Sequence, residues 1–322
     1  MTSVAPRSVP AGLDPATFSI EAIDSDTSAF NAQLAQALAS VPPVWEVPAA
    51  ETRAAREEGR GAFGPLVLSD LATNRTIATP GGPLTIRTFV PETVAGVYLY
   101  FHGGGWTIGR AHHSDARLEA LARSNNLAVV SVDYRLAPED PYPAGPDDCE
   151  AAALWLIDHA QSEFGASQLQ IGGESAGAHL AVVTLVRLRD KHQLRPFARA
   201  NLVYGCFDLA GTPSVRNAPA DTLVLPRQAV EWFTAQFSIR GKEQDPDVSP
   251  IWADLRGLPP ALFSVGTLDP LLDDSLFMYT RWVAAGNQAE LAVYPGGVHG
   301  FNVFPYRLAQ QANQRVAEFL KS

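Results

Sequence analysis

The feature that most constrains the fold of this chain is an alternation of short apolar segments with longer helical segments, which runs from Leu84 to the C-terminus. One segment, Leu127 to Val132 (LAVVSV), is a continuous apolar run of the kind found in strands buried on both faces. Strands that alternate with helices of about ten or more residues form βαβ units. We therefore predict an α/β fold built on a mostly parallel sheet.

The same pattern predicts where the strands and helices lie. Strands are predicted at 84–90, 94–101, 127–132, 168–172, 200–205, 261–265 and 290–294. Helices are predicted at 28–39, 49–58, 147–164, 176–189, 227–237, 272–284 and 306–320.

Two segments do not follow the alternation. Residues 207–250 interrupt it with several prolines, and an insertion of this length in an α/β fold indicates a lid or cap. Residues 1–60 carry helix-like stretches but too few apolar side chains for a core of their own. We predict that these two segments form one cap, over a catalytic domain made of residues 61–206 and 251–322.

Composition and charge exclude several classes of partner. The 322-residue chain has 46 % hydrophobic and 18 % charged residues, which is typical of a globular protein. Its net charge of −10 repels phosphate backbones and anionic lipids, so we expect no nucleic-acid partner. The longest apolar run, Val94 to Phe101, is far shorter than the about 18 residues that span a bilayer. We therefore expect no stable membrane association.

Cysteine usage and the N-terminal residues indicate a cellular compartment. Cys149 and Cys206 are too few for a disulfide framework, and we expect two buried thiols in a reducing environment. Residues 1–15 lack the apolar core of a signal peptide. These observations predict a cytoplasmic protein.

One serine stands in the pattern G-x-S-x-G, as Gly173-Glu174-Ser175-Ala176-Gly177. The pattern follows a predicted strand and opens a predicted helix, which is the context in which it presents a nucleophilic serine on a sharp turn. Glycines on both sides allow the strand and the helix to approach closely. The alternative is a glycine-rich turn whose serine only caps the helix.

A second motif, HGGG at 102–105, follows the strand predicted at 94–101. Successive glycines leave backbone N–H groups unshielded by any Cβ atom, so that two of them can point at one position. We expect the N–H groups of Gly103 and Gly104, together with that of Ala176, to form an oxyanion hole. The alternative is a flexible glycine loop without a ligand.

A serine nucleophile needs a base, because its hydroxyl does not ionise near neutral pH. In the fold context of G-x-S-x-G, an acid and then a histidine follow the serine along the chain. Only His299 follows Ser175 with a strand and an acid between them. Asp269 is the first carboxylate after a predicted strand, and we expect it to orient the His299 ring. We interpret Asp273 and Asp274 as charges that stabilise the start of a helix.

We expect neither a cofactor nor a metal. A dinucleotide-binding G-x-G-x-x-G would need glycine where Ile108 stands, and no G-x-x-x-x-G-K occurs. The pair His112 and His113 resembles a metal site only superficially, because no acidic or cysteine ligand accompanies it at metal-ligand spacing. The sequence therefore predicts that no metal is bound.

Further motifs extend over most of the chain in a fixed order. They are HGGGW at 102–106, DYRLAPE at 133–139, GESAGAHL at 173–180, DPDVSP at 245–250, LPPALFSVGTLDPLLDD at 258–274 and VHGF at 298–301. From about residue 84 to the C-terminus, the chain resembles the hormone-sensitive lipase family of bacterial carboxylesterases, which are α/β-hydrolases.

The resemblance implies an α/β-hydrolase fold with an eight-stranded, mostly parallel sheet, flanking helices and a helical cap. It implies cofactor-independent hydrolysis of short- to medium-chain acyl esters, and it makes a homodimer an expectation because many members form one. It implies a catalytic triad and three oxyanion-hole donors, which are Ser175, Asp269 and His299, and Gly103, Gly104 and Ala176.

Two positions depart from the motif G-D-S-A-G-G that is usual in that family. Glu174 replaces the aspartate and adds a methylene, so the contacts around the turn differ. Ala178 replaces the last glycine and loosens the approach of helix and strand. Neither position is the nucleophile, but both prevent a simple transfer of substrate preference.

We predict a two-step hydrolysis of a small-molecule ester through an acyl-enzyme. The aromatic candidates for the acyl and alcohol pockets are Trp106, Phe207, Trp232 and Phe233, and for the last two core packing is an equal alternative. A deacetylase, lactonase or amidase with a specific natural substrate would use the same groups. A serine peptidase would need an added gating domain, and a non-catalytic ligand receptor is the alternative from another class.

Overall fold

The computed structural model of the protein describes residues 13–60 and 63–321. The first twelve residues lie outside the described part of the chain, and with them most of the segment on which the signal-peptide prediction rests. Within the described residues, the fold is an eight-stranded sheet flanked by helices. The predicted α/β fold with a mostly parallel sheet is therefore confirmed.

The sheet has the strand order β1-β2-β4-β3-β5-β6-β7-β8. β2 pairs in antiparallel fashion with β1 and with β4, whereas every other neighbouring pair is parallel. The strands are β1 (Ala72–Thr79), β2 (Gly82–Phe89), β3 (Gly96–Phe101), β4 (Leu127–Val132), β5 (Leu169–Glu174), β6 (Phe197–Val203), β7 (Ala261–Gly266) and β8 (Ala289–Tyr294).

The α-helices of the described residues follow the strands or precede the sheet. They are α1 (Ser25–Leu38), α2 (Ala49–Glu57), α3 (Asp115–Asn125), α4 (Ala144–Phe164), α5 (Ala176–His192), α6 (Pro213–Arg216), α7 (Arg227–Phe237), α8 (Leu272–Ala284) and α9 (Arg307–Lys321). None of the helices in the described ranges is both long and apolar enough to cross a membrane.

Every strand and helix predicted from the sequence is present, with ends shifted by up to three residues. The structure adds β1, α3 and the single turn of α6, which the sequence analysis did not predict. β1 lies at the edge of the sheet, and only Ile77 among its residues is buried, so it lacks the apolar run of the inner strands. α3 is rich in charged residues and buries only a narrow stripe, so its periodicity is weak.

The middle of the sheet is buried on both faces. In β4, Ala128, Val130 and Val132 belong to the core that α4 and α5 cover, whereas Leu127 and Val129 belong to the core beneath α3 and α9. This arrangement explains why the strand reads as a continuous apolar run rather than an alternating one. Burial of each such Val or Leu side chain stabilises the fold by about 1.5–3 kcal/mol.

The N-terminal helices and the segment 207–250 pack against the loops that leave the sheet. In α1, the Phe30 ring stacks on Tyr306 with centroids 4.1 Å apart. In α7, Phe237 stacks on Trp106 at 4.7 Å. Both segments line the same cavity as the loops after β3 and β5, which is the placement expected of two parts of one cap.

Candidate active site

The loops that follow four parallel strands meet at one edge of the sheet. β3 leads into the glycine loop at 102–105, β5 into Ser175, β7 into the loop with Asp269, and β8 into the loop with His299. In open α/β sheets, ligands bind outside the carboxyl ends of the strands. The topology thus gathers the residues singled out in the sequence at the place where a site is expected.

Ser175 occupies a strained turn between β5 and α5. Its φ of 54° and ψ of −120° lie where a non-glycine residue costs about 1–3 kcal/mol. A Cβ atom at Gly173 or Gly177 would overlap the backbone of Phe101, so neither position accepts a larger residue without movement of β3. The two glycines of the motif therefore allow the turn that presents the serine.

Ser175, His299 and Asp269 form one hydrogen-bonded chain. The Oγ atom of Ser175 lies 2.9 Å from Nε2 of His299, and Nδ1 of His299 lies 2.9 Å from Oδ2 of Asp269. A carboxylate only accepts hydrogen bonds, so Nδ1 carries the hydrogen and Nε2 offers its lone pair to the serine hydroxyl. The second oxygen of Asp269 accepts a hydrogen bond from the N–H of Leu271 at 2.8 Å. The Asp269 side chain is fully buried, which protects the pair from water.

Two glycines bring the aspartate and histidine loops together. A Cβ atom on Gly266, at the end of β7, would overlap Gly297 in the histidine loop. The N–H of Leu268 donates to the carbonyl of Gly297 at 3.0 Å, which ties the two loops to each other. The close approach of these backbones holds Asp269 within hydrogen-bond distance of His299.

The glycine loop after β3 lies directly against the serine. A Cβ atom on Gly103 would be 3.1 Å from the carbonyl of Glu174 and 3.5 Å from Cβ of Ser175. Gly104 has a φ of 109°, which a residue with a side chain rarely adopts. Within the described residues, the N–H groups of Gly103 and Gly104 donate to no protein acceptor. Ala176 is the first residue of α5, where N–H groups have no partner in the helix.

Beneath the serine, Glu174 holds a buried polar network that sequence reasoning did not find. Its carboxylate forms an ion pair with Arg117 at 2.6 Å and accepts a hydrogen bond from the side-chain amide of Asn302 at 2.7 Å. Glu174 directly precedes Ser175, and Asn302 stands three residues after His299. The network thus connects the loops of the nucleophile and the base. In the sequence, only Glu174, which departs from the usual motif, indicated this network. Its partners lie in α3 and in the histidine loop, which are distant from Glu174 along the chain.

The structure brings two of the four aromatic candidates to the site. Trp106 and Phe233 line the cavity, and the Phe233 ring covers Gly105 so closely that a Cβ atom there would overlap it. Phe207 and Trp232 do not line the cavity, which corrects their proposed contact with substrate. Phe207 is fully buried beneath the sheet edge because Gly205 leaves room for its ring, and Trp232 packs beside Phe233.

A buried histidine also supports this wall of the site. His179 in α5 accepts a hydrogen bond from Trp106 Nε1 at Nδ1 (3.1 Å) and donates from Nε2 to the carbonyl of Val248 (2.7 Å). Burial lowers the pKa of His179 to about 4, because desolvation disfavours the charged imidazolium. His179 therefore acts as a neutral link between Trp106 and the end of the segment 207–250.

The cavity above Ser175 has a volume of about 1810 Å³, larger than the about 300–1,000 Å³ of an average small-molecule pocket. Its lower wall contains Ser175, His299 and the glycine loop, and its upper walls come from the N-terminal segment and from residues near α7. The space accommodates a substrate with groups on both sides of a scissile bond.

The histidine pair at 112 and 113 has an acidic neighbour that the sequence did not reveal. The two carboxylate oxygens of Glu57, at the end of α2, lie 2.8 Å from Nε2 of His112 and 2.9 Å from Nε2 of His113. The three residues are close enough to share a metal ion. The argument that no acid accompanies the pair is therefore wrong, although the absence of a metal stays a prediction.

Comparison with known proteins places this arrangement among esterases. The family model described as alpha/beta hydrolase fold matches residues 98–303. The carboxylic ester hydrolase LipN of Mycobacterium tuberculosis is 34 % identical over 254 residues, which are 75 % of this chain and 67 % of LipN. An acetyl esterase of Salmonella schwarzengrund is 32 % identical, over 71 % of this chain and 73 % of its own.

A solved structure shows the same similarity over a longer stretch. A hyperthermophilic esterase from the archaeon Pyrobaculum calidifontis superimposes with a TM-score of 0.83 at 29 % sequence identity. The superposition covers 91 % of this chain and 97 % of that protein. The similarity thus extends beyond residues 98–303, which the family model matches.

Proposed function

Because this chain belongs to the alpha/beta hydrolase fold family and is a carboxylic ester hydrolase of the hormone-sensitive lipase type, we propose that Ser175 is its nucleophile. The observation that carries the proposal is the hydrogen-bonded chain from Ser175 through His299 to Asp269. These three hydrogen-bonded side chains lie beside a glycine loop with free N–H groups, as acyl transfer by a serine requires.

In the first step, Oγ of Ser175 attacks the ester carbonyl carbon while Nε2 of His299 takes the serine proton. The carbonyl oxygen becomes an oxyanion, which the N–H groups of Gly103, Gly104 and Ala176 bind. Asp269 stabilises the positive charge on the imidazolium and holds its ring in place. His299 then gives the proton to the leaving alcohol oxygen, and the bond between that oxygen and the carbonyl carbon breaks.

In the second step, water replaces the alcohol. His299 takes a proton from the water as its oxygen attacks the acyl carbon of the acyl-enzyme. The new tetrahedral intermediate collapses, His299 returns the proton to Oγ of Ser175, and the carboxylic acid leaves. The reaction consumes one water and needs no cofactor. In both steps His299 acts from its neutral form, because only that form can accept a proton at Nε2.

We propose short- to medium-chain acyl esters as substrates. The name of the Salmonella relatives, acetyl esterase, supports a small acyl group. Phe233 supports it as well, because its ring presses on Gly105 and narrows the cavity beside the glycine loop. The triad-like geometry weighs against a non-catalytic receptor, which would need neither Asp269 nor His299.

We also propose the domain division that the sequence predicted. Residues 1–60 and 207–250 form the cap, and residues 61–206 and 251–322 form the catalytic domain. Both cap segments supply walls of the cavity, which supports this division for the described residues. The cytoplasmic location and the homodimer stay predictions, the first of them supported by Cys149 and Cys206, which are free and buried.

The experiment is a series of p-nitrophenyl esters from acetate to palmitate, assayed with the wild-type protein and with Ser175→Ala. The proposal predicts an optimum between acetate and octanoate and a loss of several orders of magnitude in kcat for the variant. Equal rates for both proteins would show that another group performs the reaction. An optimum at palmitate would contradict the proposed acyl length.

A further inference from the structure

Among the described residues, one cation that lines the cavity has no carboxylate in ion-pair contact, although the charge of Glu57 acts on it from the next position of α2. Arg56 lies in the last turn of α2, and its side chain contributes to the wall of the cavity that contains Ser175. Its Nη1 atom is buried, and none of the residues described in the structure offers it a hydrogen-bond acceptor. A buried donor without a partner is costly, so a ligand that supplied an acceptor to Nη1 would gain a hydrogen bond.

The other arginines of the cavity wall are each paired with a carboxylate. Arg60 pairs with Glu58 at 2.6 Å, Arg110 with Asp133 at 3.3 Å and Arg117 with Glu174 at 2.6 Å. Arg56 is the exception among the described arginines of this wall. Its neighbour in sequence, Glu57, directs both carboxylate oxygens to His112 and His113 instead.

One aromatic ring, that of Phe63, connects the Arg56 guanidinium with the loop of the catalytic histidine. The guanidinium lies over the ring of Phe63, with Cζ 4.5 Å from the ring centroid. The same ring lies beside Gly300, where a Cβ atom would be 3.7 Å from Cε1 of Phe63. Gly300 follows His299 directly, so the Phe63 ring lies between the guanidinium and the loop that carries the histidine.

Charge and burial favour an anion at this position. Burial lowers the pKa of Arg56, and an arginine nevertheless stays protonated because its reference pKa is so high. A desolvated guanidinium gains most from a carboxylate, which it can bind through two parallel hydrogen bonds. In a chain with a net charge of −10, a substrate carboxylate needs such a local cation to enter the cavity.

We propose that Arg56 is a specificity-determining residue that binds a carboxylate of the substrate, so that the enzyme prefers esters bearing a free carboxylate over matched neutral esters. This inference rests on the proposed function, because it assigns the substrate class of the same site. Phe63 places its ring under the guanidinium, and the large cavity leaves space for the carboxylate beyond the scissile ester.

The test compares monomethyl glutarate with dimethyl glutarate, which differ in one negative charge and one methyl group. Methanol release gives kcat/KM for each ester. A second pair, acetoxyacetate and methyl acetoxyacetate, places the carboxylate on the alcohol side, with acetate release as the readout. For the pair that the enzyme hydrolyses, we compare kcat/KM for the charged ester divided by kcat/KM for the neutral ester. This ratio should be at least tenfold lower in Arg56→Gln than in the wild type. The decrease should be smaller in Arg56→Lys.

Arg60→Gln is the matched control, because Arg60 lines the same cavity but is exposed and already paired with Glu58. It should keep the wild-type ratio within about twofold, as expected for an exposed surface pair. A ratio that is the same in wild type and Arg56→Gln for both ester pairs would overturn the proposal. An equal decrease of the ratio in Arg60→Gln would overturn it too. The preference would then come from the summed positive charge of the cavity wall rather than from binding by Arg56.

Two further measurements test the inference if the variant does not fold or the esters are not hydrolysed. If Arg56→Gln does not fold, Arg56→Lys and the salt dependence of the wild-type ratio take its place, and a ratio insensitive to both contradicts the proposal. If neither pair is hydrolysed, the p-nitrophenyl ester series reports separately on the proposed function. Calorimetric binding of glutarate to Ser175→Ala then decides, with binding at least tenfold weaker in Ser175→Ala/Arg56→Gln in support and equal binding against.

Discussion

The exchange Asp269→Asn tests the role of the buried carboxylate at nearly constant volume. In the wild-type protein, one oxygen accepts the Nδ1 hydrogen of His299 and the other accepts the N–H of Leu271. Asparagine has only one oxygen. If that oxygen keeps the bond to Leu271, the amide NH₂ faces Nδ1 and favours the tautomer with hydrogen on Nε2. That tautomer cannot accept the proton of Ser175.

The size of the effect follows from these two bonds. Loss of a hydrogen bond to a charged group costs about 1.5–3 kcal/mol. Loss of the correct tautomer and of the charge that stabilises the imidazolium adds to this cost, and the same exchange in a serine protease lowers kcat about 10⁴-fold. We expect a fall of about 10³- to 10⁴-fold in kcat, which corresponds to about 4–5.5 kcal/mol.

The assay is steady-state hydrolysis of p-nitrophenyl butyrate by the wild type, Asp269→Asn and the control Asp158→Asn. Asp158 is exposed on α4, so its exchange should change neither kcat nor stability noticeably. Urea unfolding of each variant separates lost activity from lost folding. Activity of Asp269→Asn within tenfold of the wild type, with intact folding, would refute the assigned role of the aspartate.

Three further predictions concern stability, positioning and metals. Burial lowers the pKa of His179 to about 4 in the folded protein, whereas the unfolded value is about 6.5. The free energy of unfolding should therefore be highest above pH 6.5 and should fall by about 3 kcal/mol as the pH falls towards 4. In urea unfolding across this range, the free energy of unfolding of His179→Gln should decrease less with falling pH than that of the wild type. Asn302→Ala should lower kcat about tenfold with little change in KM, because Glu174 loses the link to the histidine loop; an unchanged kcat would assign the amide a structural role only. Prolonged dialysis against EDTA should leave kcat/KM unchanged, and a loss restored by zinc would show that the cluster of two histidines and a glutamate binds a metal that activity requires.

The order of elements and motifs allowed the fold and the main site residues to be predicted. Parallel strands end at one edge, so residues in the short segments after β5, β7 and β8 are expected to lie close together. For this reason Ser175, Asp269 and His299 could be selected before their distances were known. The inner strands were predictable because burial on both faces leaves a continuous apolar run.

Other features depend on contacts between distant segments and leave no local pattern. Glu57 reaches His112 and His113 only because α2 packs beside the loop after β3. Arg117 reaches Glu174 from α3, a helix that the periodicity did not reveal. Such pairs are determined by tertiary packing, so the spacing of residues along the chain does not predict them.

The aromatic candidates illustrate the same limit. The sequence does not distinguish an aromatic residue that lines the cavity from one that lies in the core. Phe233 is of the first kind and Phe207 of the second. The deciding feature for Phe207 is the space that Gly205 leaves for its ring. That space exists only once the loop after β6 has folded.

The most direct test of the central claim is covalent labelling of the nucleophile. The protein is incubated with diethyl p-nitrophenyl phosphate, and intact-mass and peptide mass spectrometry locate the adduct while residual esterase activity is followed. The account predicts one diethylphosphoryl group per chain, on Ser175, with activity lost in proportion and no adduct in Ser175→Ala. Labelling of a different residue in step with the loss of activity, or full activity in a protein labelled at Ser175, would contradict it.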